Sequence, residues 1–148
     1  MKISSRFSVA IHILTLLKMT NVKVPTSAYI AGSVNTNPVV IRRILGMLKE
    51  ANLVEVKRGN GGAYLLRSSD NITLLDIYKA VVVDKDRDLF RKQASPNNLC
   101  PVGANILSIV EPALDAVQEA METELKKVLL ADIVQQLSKK IATTKKLS

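Results

Sequence analysis

Apolar residues step by three and four along most of this chain, alternate once, and lapse twice, and that rhythm predicts its elements. Phe7, Ala10, Ile11, Leu14 and Leu17 lie on one helical stripe, with Ser4 or Ser5 as a natural cap. Thr26 can cap a second, short helix over Ser27 to Val34, with Ile30, Ala31 and Val34 as its apolar positions, and Asn35-Thr36 ends it. Asn37 and Pro38 supply a cap and a first helical residue for a third, since proline has no N–H to leave orphaned there. Within it Ile41, Ile44, Leu45 and Leu48 share a stripe, which turns Val39, Arg42, Arg43 and Gly46 outward.

The period then changes from helical to alternating. Val54-Glu55-Val56-Lys57 reads as a strand, Arg58-Gly59-Asn60-Gly61-Gly62 as a turn tolerant of positive φ, and Ala63-Tyr64-Leu65-Leu66 as the return strand. Thr73 caps a further helix with Leu74, Leu75, Ile77, Tyr78 and Val81 mostly apolar, expected to close the core of this N-terminal unit. From Asp84 to Asn98 no period persists, as in a loop or hinge that ends at Cys100-Pro101. A long helical pattern follows, striped by Ile106, Val110, Leu114, Val117, Met121, Leu125 and Val128, with Pro112 predicting a kink or a helix start near Glu111. Such a stripe on so small a protein packs back on its own core or pairs with a copy of itself, and its near-heptad step favours a homodimer.

These elements predict a mainly α fold with a small β-hairpin wing. Residues 1–83 form a winged helix-turn-helix DNA-binding domain, 84–100 a hinge and candidate sensing segment, 101–141 a helical dimerisation region and 142–148 a frayed tail. In a helix-turn-helix the second helix enters the major groove, about 12 Å wide, with its N-terminal residues at base edges. A short helical hairpin alone is common; the helix pair with an adjacent basic, glycine-tipped hairpin is a much more specific pattern.

Charge adds to that picture. Residues 1–67 hold ten Lys or Arg against two acids, Glu50 and Glu55, so the whole net charge of +8 lies there; the remaining eleven basic residues are balanced by eleven acids. A polyanion partner explains the asymmetry, because neutralising phosphates releases counterions whatever sequence is read; solubility charge is the plain alternative. With aromatics at 3% and no tryptophan, base stacking on single strands or RNA loops is disfavoured and duplex DNA is the better partner. At 148 residues and 47% hydrophobic, the chain buries one core with an appendage rather than two domains. The stretch from Phe7 to Leu17 imitates a signal peptide after Lys2 and Arg6. It is broken by Ser8, His12 and Thr15, lacks a small-residue cleavage site, and falls short of the ~20 residues that span a bilayer. No membrane association is expected, and the cytoplasm is the default location.

The run Leu53-Val54, Arg58-Gly59-Asn60-Gly61-Gly62-Ala63-Tyr64-Leu65-Leu66-Arg67 and Ile72-Thr73-Leu74-Leu75-Asp76-Ile77 resembles the wing and its sequel in the bacterial IscR/NsrR/CymR-type (Rrf-two type) family of winged-helix transcriptional regulators. The likeness extends from the Lys2-Ile3-Ser4 opening through Cys100-Pro101-Val102-Gly103 to the long terminal helix, and lies nearest the single-cysteine branch. It implies a dimeric regulator, usually a repressor, that binds a partly palindromic operator and senses an effector near the loop before the long helix. Carried over by position, it implies a recognition helix over residues 38–50 with Val39, Arg42 and Arg43 facing DNA. Arg58, Gly59 and Asn60 enter the adjacent minor groove with Lys57 beside them, and Ser4, Ser5 and Arg6 meet phosphates. Thr26, Asn37 and Pro38 complete the candidate DNA-binding set. Ala63 stands where the family often has glycine, and the polar residues of cluster-binding members are missing at Val39 and Arg42, so a different operator is expected.

Cluster-binding members use three cysteines before the long helix, and this chain has Cys100 alone and His12 as its one histidine, so no iron–sulfur cluster, metal or other cofactor is expected. With one cysteine there is no internal disulfide framework. Cys100 precedes Pro101 at a helix start, where backbone N–H groups and the helix dipole favour a reactive thiolate, so it is a candidate redox or electrophile sensor; an inert free cysteine is the plain alternative. A small-molecule effector is the other route to control. A Cys100–His12 dyad lacks a third orienting group, and the Gly59 to Gly62 run lacks the Lys-Ser/Thr and following helix of a phosphate loop. No enzyme is expected. The alternative to a regulator is a helical interaction module capturing a partner protein, which leaves the +8 half unexplained.

Overall fold

The computed structural model describes residues 5–82, 90 and 93–147, with the side chains of Asn60 and residues 145–147 excluded. The order is α1 Ser5–Met19, α2 Ser27–Val34, α3 Pro38–Glu50, β1 Val54–Val56, β2 Ala63–Leu65, α4 Leu74–Val81, α5 Pro101–Lys127 and α6 Leu130–Leu147. Single 3₁₀ turns occupy Gly59–Gly61, between the strands, and Ser69–Asn71, before α4.

Local chemistry sets most of these boundaries. Thr26 accepts a hydrogen bond from the Tyr29 N–H at the start of α2, and Asn35 ends that helix in the left-handed region at φ 62°. The Asn37 side chain accepts from the Val39 N–H at 2.8 Å, with Pro38 in the first turn. Thr73 and Asp76 form a reciprocal capping box on α4, in which Arg67 also reaches the Asp76 carboxylate. The strands pair antiparallel with Val54 opposite Leu65, Glu55 opposite Tyr64 and Val56 opposite Ala63.

The core gathers Ala10, Ile13 and Leu14 of α1, Ile30 and Ala31 of α2, the predicted Ile41, Ile44, Leu45 and Leu48 of α3, and Ile77 and Val81 of α4. Leu53, Val54, Ala63 and Ile72 add the hairpin and its exit. On α1 the most deeply buried positions are shifted from the expected stripe: Ile13 and Thr15 are buried, whereas Phe7, Ile11 and Leu17 are half-buried. Thr15 satisfies its hydroxyl on the Ile11 carbonyl at 2.7 Å.

Three expectations for the C-terminal part are corrected. The helical pattern over residues 101–141 is two helices, because at Val128 the backbone turns extended and joins the head. Leu74 N–H donates to Val128 O at 2.9 Å, Leu130 N–H to Ile72 O at 2.8 Å, and Thr73 and Leu129 form an antiparallel bridge. The Asp132 side chain then caps the Leu129 N–H at 2.9 Å and restarts the helix. Leu130 is fully buried, so the core draws on a residue beyond the 1–83 segment. No helix starts near Glu111: α5 runs continuously through Pro112. Residues 142–147 are helical rather than a tail, continuing α6. Of the hinge over 84–100, residues 84–89, 91 and 92 lie outside the described residues.

α5 packs on α4 and α6 on α1. Nothing in α5 is buried. Of the expected stripe, Ile106, Val110, Leu114, Met121, Leu125 and Val128 are half-buried and Val117 is exposed, whereas Val102 and Ile109, outside it, are 68% and 72% exposed, beside exposed Ala113, Ala116 and Ala120.

Candidate nucleic-acid interface

Between the start of α2, one flank of α3 and the wing lies an open cleft of about 580 Å³. Its floor is Leu45, Val56 and Ala63; its walls are Pro25, Thr26, Ser27 and Ala28 on one side and Lys57, Arg58, Gly59 and Gly62 on the other. Along α3 it is lined by Arg42, Leu45, Gly46 and Lys49, steps of three, one and three that keep all four on one flank. Four cationic side chains, Arg42, Lys49, Lys57 and Arg58, therefore converge on a single groove beside a helix N-terminus, an arrangement that attracts an anion through charge and dipole alike. Arg42 Nη1 donates to Ser27 Oγ at 3.3 Å. Lys49 pairs with Glu55 at 3.4 Å, so part of its charge is met within the protein.

Helix α3 shows a second exposed face. Val39 is 50% exposed, Arg42 and Arg43 are exposed, and none takes part in the core. Arg43 and Val39 lie outside the cleft lining, on the outer face of the same helix. Asn37 spends its side chain on the helix cap, which makes it a positioning residue beside Pro38.

The wing is fastened to the segment leading into α2. Ala63 N–H donates to Pro25 O at 3.1 Å and Lys57 N–H to Gly62 O at 3.0 Å. Tyr64 OH donates to Gly61 O at 2.5 Å and lies 3.4 Å from Lys23 O, while Lys57 Nζ sits 5.0 Å above the Tyr64 ring. Gly59 and Gly62 hold φ of 70° and 72°, which explains the glycines in this turn.

The cleft thus brings together Thr26, Arg42, Lys57, Arg58 and Gly59 of the sequence-derived set. Ser5 is exposed at the start of α1 and Arg6 is half-buried there, its Nη1 donating to Val81 O at 3.0 Å, so that guanidinium is engaged within the fold and neither residue lines the cleft. Ser4 lies outside the described residues, as does the Asn60 side chain. Ser27, Gly46 and Lys49 were missed. Lys49 is legible as Arg42 plus seven, the same helical flank; nothing in the sequence couples Ser27 to Arg42.

Cys100 is exposed at the N-terminus of α5. The backbone N–H groups of Gly103, and then of Val102, favour its thiolate and hold the thiol below its ordinary range, outweighing the slight opposite effect of burial. His12 hydrogen-bonds Ser33 Oγ at 2.9 Å. Among the described residues no group of three His, Cys, Asp or Glu side chains could hold a metal, and no helix is long and apolar enough to cross a membrane.

Residues 3–136 match the Rrf2 family, described as iron-dependent transcriptional regulators. The HTH-type transcriptional regulator YwnA of Bacillus subtilis (strain 168) is 42% identical over 135 residues, 91% of this chain and 98% of that protein. A crystal structure presented as a DNA-binding protein shares 40% identity and a TM-score of 0.71, covering 87% of this chain and 98% of its own. CymR, the global cysteine regulator of B. subtilis, superposes with a TM-score of 0.63 at 21% identity over 91% of this chain and 97% of its own, a likeness of fold. The iron in the family description does not suit this chain's donors. An iron–sulfur cluster is commonly held by four cysteines, and Cys100 is the sole cysteine, with His12 the sole histidine and engaged by Ser33.

Proposed function

This chain belongs to the Rrf2 family of transcriptional regulators, and from that premise we propose that it binds a partly palindromic operator as a homodimer and acts as a repressor. It is a regulator and not an enzyme. The observation that carries the operator reading is the cleft in which Arg42, Lys49, Lys57 and Arg58 converge between the recognition helix and the wing. Duplex DNA meets that geometry: the outer face of α3, with Val39 and Arg43, enters the major groove, while Arg58 and Gly59 at the wing tip follow the neighbouring minor groove. Ser5 and the start of α1 lie at flanking phosphates.

The dimer is supported by the outer face of α5. Val102, Ile106, Ile109, Ala113, Ala116 and Ala120 step by four and three in alternation, the spacing of a coiled-coil seam, and only Ile106 of the six is half-covered. The alanines allow two such helices to approach closely. Pairing there sets two reading heads on one face of DNA, about 34–36 Å apart for successive major grooves. Control acts through the segment 84–100 and α5, with Cys100 or a small-molecule effector biasing the angle between the heads, and without an iron–sulfur cluster.

The test is affinity for duplex DNA across a salt series. A slope of log affinity against log salt near −0.9 per neutralised phosphate, steepened by each cation of the cleft, is the expected result. Affinity indifferent to salt, or a partner protein held in place of DNA, overturns it.

A further inference from the structure

We infer that Tyr64 is a specificity-determining residue that never touches DNA: it clamps the wing to the entrance of α2 and so sets the width of the cleft into which DNA fits. The inference rests on the DNA-binding reading above. Its basis is a set of contacts that converge on one side chain. The Tyr64 hydroxyl is bonded to the Gly61 carbonyl at 2.5 Å, inside the wing turn, and lies 3.4 Å from the Lys23 carbonyl, in the segment before α2. Its ring carries the Lys57 ammonium at 5.0 Å. One side chain therefore touches the turn that carries Arg58 and Gly59, the linker that leads to the Thr26 cap, and a cation of the cleft itself.

The backbone closes the same joint. Ala63 N–H donates to Pro25 O, and Gly62, at φ 72°, lies so close to Pro25 that an added Cβ would stand 2.9 Å from its nitrogen and 3.0 Å from its oxygen. A three-residue strand pair has little stiffness of its own. Without the joint, the wing would swing relative to α3, and ordering it on DNA would cost conformational entropy at each binding event. A wing already held at the right distance rewards the operator, in which helix and wing contacts must form together. It gives no such advantage on unrelated DNA, where phosphate contacts are made in any register.

The experiment compares full-length wild type with Tyr64→Phe on two duplexes: one selected by the wild-type protein from a randomised pool, and the same bases scrambled. Phenylalanine keeps the ring beneath Lys57 and removes only the hydroxyl. Affinity for the selected duplex is expected to fall about three- to tenfold, the range one net hydrogen bond spans. Affinity for the scrambled duplex and both salt slopes should stay as in wild type. Gly62→Ala, which pushes the wing off Pro25, should give the same loss of discrimination. Unchanged discrimination in Tyr64→Phe, or equal losses on both duplexes, overturns the clamp. Failure of the wild type to enrich any sequence would instead refute the DNA reading on which the clamp rests.

Discussion

Arg42 and Ser27, both lining the cleft, are joined Nη1 to Oγ at 3.3 Å, so α3 is tied through Arg42 to the first turn of the helix before it. Arg42 supplies charge to the groove, whereas Ser27 supplies only its orientation. Arg42→Ala should weaken operator binding by about 1–3 kcal/mol, the usual size of a specific arginine contact, and Ser27→Ala by less than about 1 kcal/mol. Fluorescence anisotropy titrations of the two variants decide it; full affinity in Arg42→Ala would remove that residue from the interface.

Arg43 and Arg58 separate two kinds of contact. Arg43 stands exposed on the outer face of α3, apart from the cleft lining, whereas Arg58 lines the cleft from the wing turn. Arg43→Ala is expected to relax preference for the operator over scrambled DNA. Arg58→Ala should weaken both and lower the salt slope by about one. Identical behaviour of the two variants would contradict this division.

The helix-turn-helix and wing were legible because their signals are local. Thr26, Asn37 and Thr73 cap the helices they precede, Pro38 opens α3, and Ile41, Ile44, Leu45 and Leu48 are buried where their spacing put them. The break at Val128 was not, because a helical stripe continues through it and the signals that interrupt it are tertiary: bonds from Leu74 and Leu130 to residues over fifty positions away. The same holds for the cleft, where Arg42, Lys57 and Arg58 were foreseen separately and Ser27 became visible only as part of its wall.

That break makes a stability prediction. Leu130 is fully buried among the head's core residues although it lies past the long helix. Leu130→Ala should cost about 2–5 kcal/mol, and at about 2–4 °C per kcal/mol for a chain of this size should visibly lower the melting temperature of the single transition. Thermal denaturation followed by circular dichroism measures it. A melting temperature within a degree of wild type would show that the corner is not part of the core.

Cys100 carries a prediction in pH. Backbone N–H groups of Gly103 and Val102 stabilise its thiolate, so deprotonation occurs at lower pH in the folded chain than in the unfolded one. The rate of alkylation by iodoacetamide should therefore reach its half-maximum at lower pH for native protein than for protein in urea, and the thiolate's contribution to stability is lost as pH falls through the native value. Coincident profiles would remove the basis for a thiol sensor. If the shift is found, alkylated protein should also bind DNA differently from reduced protein; equal binding would leave control to a small-molecule effector.

The outer face of α5 decides between a dimer and a free helix. Ile109 is 72% exposed, so a charge there costs the single chain little. In a paired seam the same charge meets its copy across the interface, desolvated and repelled, and two such sites per dimer are lost together. Ile109→Glu should accordingly leave the helical content and melting of the monomer unchanged, yet convert a micromolar sample to a monomer in sedimentation velocity. Operator affinity should then fall by well over tenfold, since each head must bind its half-site without the effective concentration supplied by its twin. A variant that remains dimeric would move the seam to the half-buried Val110, Leu114 and Met121 stripe, where a second copy must compete with the contacts α5 already makes to α4.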